Sequence, residues 1–255
     1  MNMRKKEPWS CVTKIAIFVI ILSCLVTLVC AADAPDRIEV GNFSAEPEGS
    51  GAPAGWRPWT FSKIERHTTY ATAREAGTVV VRAKAESSAS GLIREVKVDS
   101  REYPILAWRW KVSNVYMKGD VNRKDGDDYP ARIYIAFDYD PQRLGLADRV
   151  KHAAVRLLYG EALPLRVINY IWESKAPKGT ITPSAYTDWV KMIVVESGGE
   201  LANRWIDEQR NVLEDYRKAF GEEPSTITGI AIMTDADNTG ESATAWYGDI
   251  VFMKR

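Results

Sequence analysis

Along much of the chain apolar and polar side chains alternate in short runs, the period of strands that bury one face and expose the other. In residues 105–112, Leu106, Trp108, Trp110 and Val112 fall on one face and Arg109 and Lys111 on the other. After Pro130, the residues Ile133, Ile135 and Phe137 share a face, opposite Arg132, Tyr134 and Asp138. Near the C-terminus the same count sets Trp246, Ile250 and Phe252 against Tyr247 and Asp249. Further strands are expected at residues 38–43, 56–61, 78–84, 92–98, 167–172, 189–196 and 227–234. That brings the count to about ten, enough for two packed sheets. Residues 46–55, rich in glycine and proline, read as a loop.

Two segments break this rhythm with helical spacing. Leu146, Val150, Ala153, Ala154, Leu157 and Leu158 recur every three to four positions up to Gly160. Trp205, Val212, Leu213, Tyr216 and Phe220 form a second stripe, stopped by Gly221 and Pro224. The expectation is a mostly β chain, an antiparallel β-sandwich with two short helices packed at its edges.

The first residues have a different pattern. Arg4, Lys5, Lys6 and Lys14 precede an uncharged, mostly apolar run over residues 15–29, followed by the small Ala31 and Ala32. This reads as a signal peptide over residues 1–31 and a single domain over 32–255, exported to the periplasm or the extracellular space. An uncleaved membrane anchor is the alternative, since the run is close to the length of a spanning helix. Lipid attachment at Cys24 is a third. Cys11, Cys24 and Cys30 all lie in this leader, so a mature chain has no disulfide, thiolate nucleophile or cysteine metal site. A domain of this size buries enough apolar surface without staples.

Charge narrows the partners. The chain has 34 basic and 34 acidic side chains; without the four basic residues and Glu7 of the leader, 30 remain against 33. A mature chain that is slightly acidic has no electrostatic drive toward nucleic acid. His67 and His152 are too few for a histidine zinc site. Eight tryptophans follow the leader, suited either to core packing or to contact with sugar rings.

Two acidic loops adjoin strands. Asp125-Gly126-Asp127-Asp128 precedes the strand at Arg132, and Asp235-Ala236-Asp237-Asn238-Thr239-Gly240 follows the strand ending at Thr234. The second loop sets oxygen-bearing side chains at alternate positions, so Asp235 and Asp237 are candidate ligands of a structural calcium ion. It departs from an EF-hand, whose twelfth position would be Trp246 rather than glutamate. Turn capping by Asp235, Asp237 and Asn238 is the plainer reading. Asp127 and Asp128 repel each other unless they are solvated, paired with arginine or bound to a cation. Arg109 and Arg132 are expected on strand faces away from the core, where forked donors suit sugar hydroxyls or carboxylates; internal pairing is the alternative. No nucleophile elbow, zinc motif, phosphate loop or dinucleotide fingerprint is present.

At these residues the chain resembles a known family. Trp108-Arg109-Trp110-Lys111-Val112, Gly126-Asp127-Asp128-Tyr129 through Ala131-Arg132-Ile133-Tyr134, Asp215-Tyr216-Arg217-Lys218-Ala219-Phe220-Gly221 and Thr234-Asp235-Ala236-Asp237-Asn238-Thr239-Gly240 resemble the blocks of the exported bacterial family called domain of unknown function 3047. The resemblance covers about residues 56–252. It implies a jelly-roll-like sandwich similar to galactose-binding and carbohydrate-binding modules, and no assigned activity. The expected function is non-catalytic recognition of a glycan or other polyhydroxylated or acidic ligand through Arg109, Asp127, Asp128, Arg132, Tyr134 and Asn238. A glycan hydrolase or lyase using the loop aspartates and an envelope scaffold are the alternatives.

Overall fold

The computed structural model describes residues 35–140, 142, 145 and 166–255. The leader and the helix expected over residues 146–160 lie outside the described residues. Asp36–Arg255 is one compact unit. Its strands are β1 (Arg37–Gly41), β2 (Arg57–Trp59), β3 (Thr69–Glu75), β4 (Thr78–Glu86), β5 (Ala89–Val98), β6 (Ile105–Val112), β7 (Arg132–Phe137), β8 (Arg166–Glu173), β9 (Ile181–Pro183), β10 (Val190–Ser197), β11 (Ile206–Asn211), β12 (Ile227–Asp235) and β13 (Ser242–Met253).

They form two sheets packed as a jelly-roll-like sandwich. The first runs β11-β6-β13-β4-β3, with β1 also paired to β13; the second runs β2-β5-β12-β7-β8-β10-β9. The core between them is aromatic. Trp108 stacks on Tyr170 at 5.4 Å between ring centroids, and Trp110 meets Trp172 at 6.0 Å. Ile133, Ile135 and Phe137 fill it from β7, as the alternation requires. Truncating either Trp108 or Trp110 to alanine would remove about 3–5 kcal/mol.

Four details differ from the sequence reading. One pair of strands, β8 and β10, is parallel, because the chain passes around through β9 before returning. Residues 206–211, expected as helix, are the edge strand β11, antiparallel to β6; the helix α1 is only Val212–Phe220. Asn211 is the reason for the late start: its side chain accepts the N–H of Glu214 at 3.1 Å and caps the first turn. Trp205 therefore leaves the helical stripe. The phase of β13 also changes midway: Tyr247 pairs with Trp110 but Ile250 with Trp108, a bulge that sets two residues opposite Arg109. Tyr247, Ile250 and Phe252 consequently share the core, and Trp246 turns outward. Finally, β3 and β9 were not foreseen.

At the sandwich edge Glu196 of β10 and Glu208 of β11 are buried beside each other, with Lys178 paired to Glu196.

Candidate functional site

Antiparallel pairing explains why the two acidic loops meet. Strand β7 begins where β12 ends, with Arg132 opposite Met233. The loop before β7 and the loop after β12 thus emerge at the same end of the second sheet, a hundred residues apart in sequence. There Asp128 accepts the backbone N–H groups of Asn238 at 3.3 Å and Thr239 at 2.6 Å. Asp235 accepts the N–H of Tyr129 at 3.2 Å and forms a buried ion pair with Arg132. The Tyr129 hydroxyl donates to Asp127 at 3.0 Å. Asn238, exposed at the rim, donates to the Tyr186 hydroxyl at 3.2 Å.

Burial sets the electrostatics here. It pushes the carboxyls of Asp127, Asp235 and Asp237 above the usual range, and Arg132 works against it for all three. For Arg132 itself burial is the largest influence and opposes the charge, but Asp235, Tyr134, Asp127 and Tyr129 together outweigh it and push the guanidinium further up. Asp128, Asp235 and Asp237 offer oxygens within 4.8 Å of one another, a set able to hold a divalent cation. The same aspartates also act as turn locks, since Asp128 fixes the 238–239 backbone.

Of the residues singled out in the sequence, Asp127, Asp128, Arg132, Asp235, Asp237 and Asn238 converge, with Tyr134 next to Arg132. Arg109 stands apart. It lies on the outer face of the first sheet, its guanidinium 4.4 Å from the Trp205 ring centroid. Arg132 does leave the core face as alternation predicts, yet it is only 5% exposed. That face is covered at this end by Tyr129 and Asp235, so the arginine is paired internally instead of lying open.

The outer face of the second sheet is laid out by its pairing registers. One row reads Arg57, Ile93, Ala231, Tyr134, Asn169 and Met192; the next reads Trp59, Gly91, Met233, Arg132, Ile171 and Val194. Ala231 of the first row and the pair Gly229–Ala136 beyond it form the floor of a groove of about 250 Å³, with Trp59, Tyr134 and Trp189 as walls. Trp59 meets Tyr134 edge-on at 5.2 Å. Glycine is required at Gly91, where a Cβ would come within 2.8 Å of the Ile232 carbonyl and 3.1 Å of the Trp59 ring. Arg57 and Glu95, 3.6 Å apart, stand at the rim. A larger depression of 640 Å³ on the first sheet is bordered by Arg37, Arg109, Asp207 and Asp249; its one tryptophan, Trp108, is buried against Tyr170.

Sequence reasoning did not single out Trp59 or the floor residues of this groove. The sign was there in residues 229–232, where Gly229 and Ala231 alternate with Ile230 and Ile232: a strand with small residues opposite its core face.

A family model described as "Protein of unknown function (DUF3047)" matches residues 54–251. No curated protein matches the chain. Similar solved structures include the family 11 carbohydrate-binding module of the cellulosomal cellulase Lic26A-Cel5E of Clostridium thermocellum, at 9% identity over 88% of this chain and 97% of that one, TM-score 0.42. The carbohydrate recognition domain of Emp47p aligns at 11% identity over 88% and 99%, TM-score 0.41. The family 30 module of the cellulase Cel9D-Cel44B of Clostridium thermocellum aligns at 13% over 86% and 98%, TM-score 0.38. Likenesses this distant carry no argument about a ligand.

Proposed function

The chain belongs to the DUF3047 family, and we propose that it is an exported glycan-binding protein whose ligand lies in the groove on the outer face of the second sheet. The observation that carries this reading is the aromatic wall of Trp59 and Tyr134 beside a floor of Ala136, Gly229 and Ala231. A sugar ring has one apolar C–H face, which packs on aromatic rings, and an equatorial belt of hydroxyls, which needs polar groups at the margins. Arg57, Glu95, Thr187 and Thr228 supply those margins.

Hydrolysis through the loop aspartates has less support. A glycosidase needs one carboxyl free to protonate the leaving oxygen and a second free to act as base or nucleophile. Asp235 has one oxygen on Arg132 and the other on the Tyr129 N–H, and Asp128 has both on backbone N–H groups. These carboxylates are engaged in holding the two loops.

The test is a glycan-array screen of the mature protein followed by calorimetry on the best ligand. Trp59→Ala is expected to weaken binding by roughly tenfold or more, the loss of one aromatic contact, while Trp59, on a three-residue edge strand, leaves the core intact. Unchanged affinity in that variant, or a folded protein that binds no glycan, would overturn the reading.

A further inference from the structure

Where the edge strand β11 faces β10, the open side of the sandwich is closed by two carboxyl groups and one lysine. Glu208 stands opposite Trp108 in the β11–β6 ladder and Glu196 opposite Trp172 in the β10–β8 ladder. Both tryptophans belong to the core, so each glutamate enters from its own sheet on the face turned toward the other. The two are 8% and 4% exposed. Strand β9 stops at the partner of Ile193, so among the described strands β10 is the last of the second sheet at Glu196.

The charges here balance only with a proton. Lys178, reaching in from the exposed side, pairs with Glu196. Arg210, next along the inner face of β11, is committed to Asp215 of α1 at 2.7 and 2.9 Å. From β6 the pair meets the uncharged Trp108. Glu208 Oε1 is enclosed and finds no donor among the described residues. Two buried carboxylates against one lysine repel, and a single proton between them removes the repulsion and satisfies that oxygen. Burial pushes the Glu208 carboxyl up to about 8, against Lys178 and Arg210 and together with Glu196.

We propose that this proton is a latch: while the two carboxyls share it the edge stays shut, and its loss lets β11 leave β6 and β10 with the rest of the sandwich folded. Strand β11 is the element to yield. It has one pairing partner, and of its inward residues Ile206, Glu208 and Arg210 only the first is apolar. Strand β10 is paired on both sides and anchors Ile193 and Val195 in the core. Local opening starts where few apolar contacts hold. What it uncovers is the edge of β6 and Trp108. The device is independent of the groove, which lies on the outer face of the second sheet.

Proton linkage gives the sign. The closed edge holds a proton that the open edge releases, because there Glu208 returns to the ordinary value of 4.5. The closed form is favoured most below that value, loses about tenfold per pH unit as pH rises toward 8, and changes no further above it.

Backbone hydrogen exchange of the full chain between pH 5 and pH 8, each rate divided by its intrinsic value, tests this. Amides of residues 206–211 are expected to be less protected than those of β12, with protection falling about tenfold per pH unit. Glu208→Gln should abolish the slope, since glutamine cannot ionise. Glu196→Gln should flatten it as well, since Lys178 is then free to pair with Glu208. Protection of residues 206–211 equal to that of β12 at every pH would mean that the edge opens only with the whole fold, and overturns the latch. A flat wild-type profile, or an unchanged slope in either variant, overturns it too. If Glu208→Gln does not fold, Glu196→Gln and the wild-type profile decide.

Discussion

Glu208 illustrates how a single side chain sets a pH response. Burial pushes its carboxyl up to about 8, Lys178 pulls it down, and the neighbouring Glu196 pushes it up again. Between the ordinary glutamate value of 4.5 and about 8 the folded chain therefore holds a proton that the unfolded chain has released. Its contribution is most favourable below the lower value, declines as pH rises through the window and is fully lost above the upper one. Thermal melts from pH 4 to 9 should show the melting temperature of the wild type falling relative to Glu208→Gln across this window, since glutamine keeps the shape and cannot ionise. Parallel curves would mean that Glu208 ionises freely. In sequence Glu208 was indistinguishable from its exposed neighbours Asp207 and Gln209. Its burial follows from β11 being a strand, which period-two counting finds only when the apolar partners are present. The acidic loops were legible as residues for the opposite reason, since clustered carboxylates need compensation wherever they fold.

At the scale of elements, strands with a full apolar face declared themselves. Residues 105–112 and 133–137 lie in the core as their alternation requires, and residues 78–84, 92–98, 167–172 and 189–196 are strands or lie within one residue of one. Edge strands β3, β9 and β11 were missed because they bury less and so carry a weaker pattern. The register of β13 was misjudged because a bulge shifts phase without leaving a strong mark in composition. Its one mark is Gly248, where a Cβ would lie 2.5 Å from Arg109 Cγ. Gly248→Ala should therefore cost about 1–3 kcal/mol through overpacking, seen as a lower urea midpoint. Binding of glycan by the folded fraction should stay unchanged, because Arg109 and the groove occupy different sheets. A stability equal to wild type would mean that Arg109 moves aside freely.

At the scale of the molecule, the sequence could place Arg109 and Arg132 on outward faces but could not say which sheet each strand would join. Partnership is decided by long-range pairing, and alternation is silent about it. That is why one arginine meets the aspartates and the other stacks on Trp205. The order of strands has a further consequence in time. The last two strands to be synthesised, β12 and β13, occupy interior positions, one in each sheet. Until they emerge, β5 has no bridge to β7 and β6 none to β4, so neither sheet can close. A domain built this way is expected to stay open until residues 227–253 are free and to collapse late, through contacts of high sequence separation. That delay keeps it threadable, the condition in which a polypeptide can pass through a narrow membrane channel before it acquires its shape.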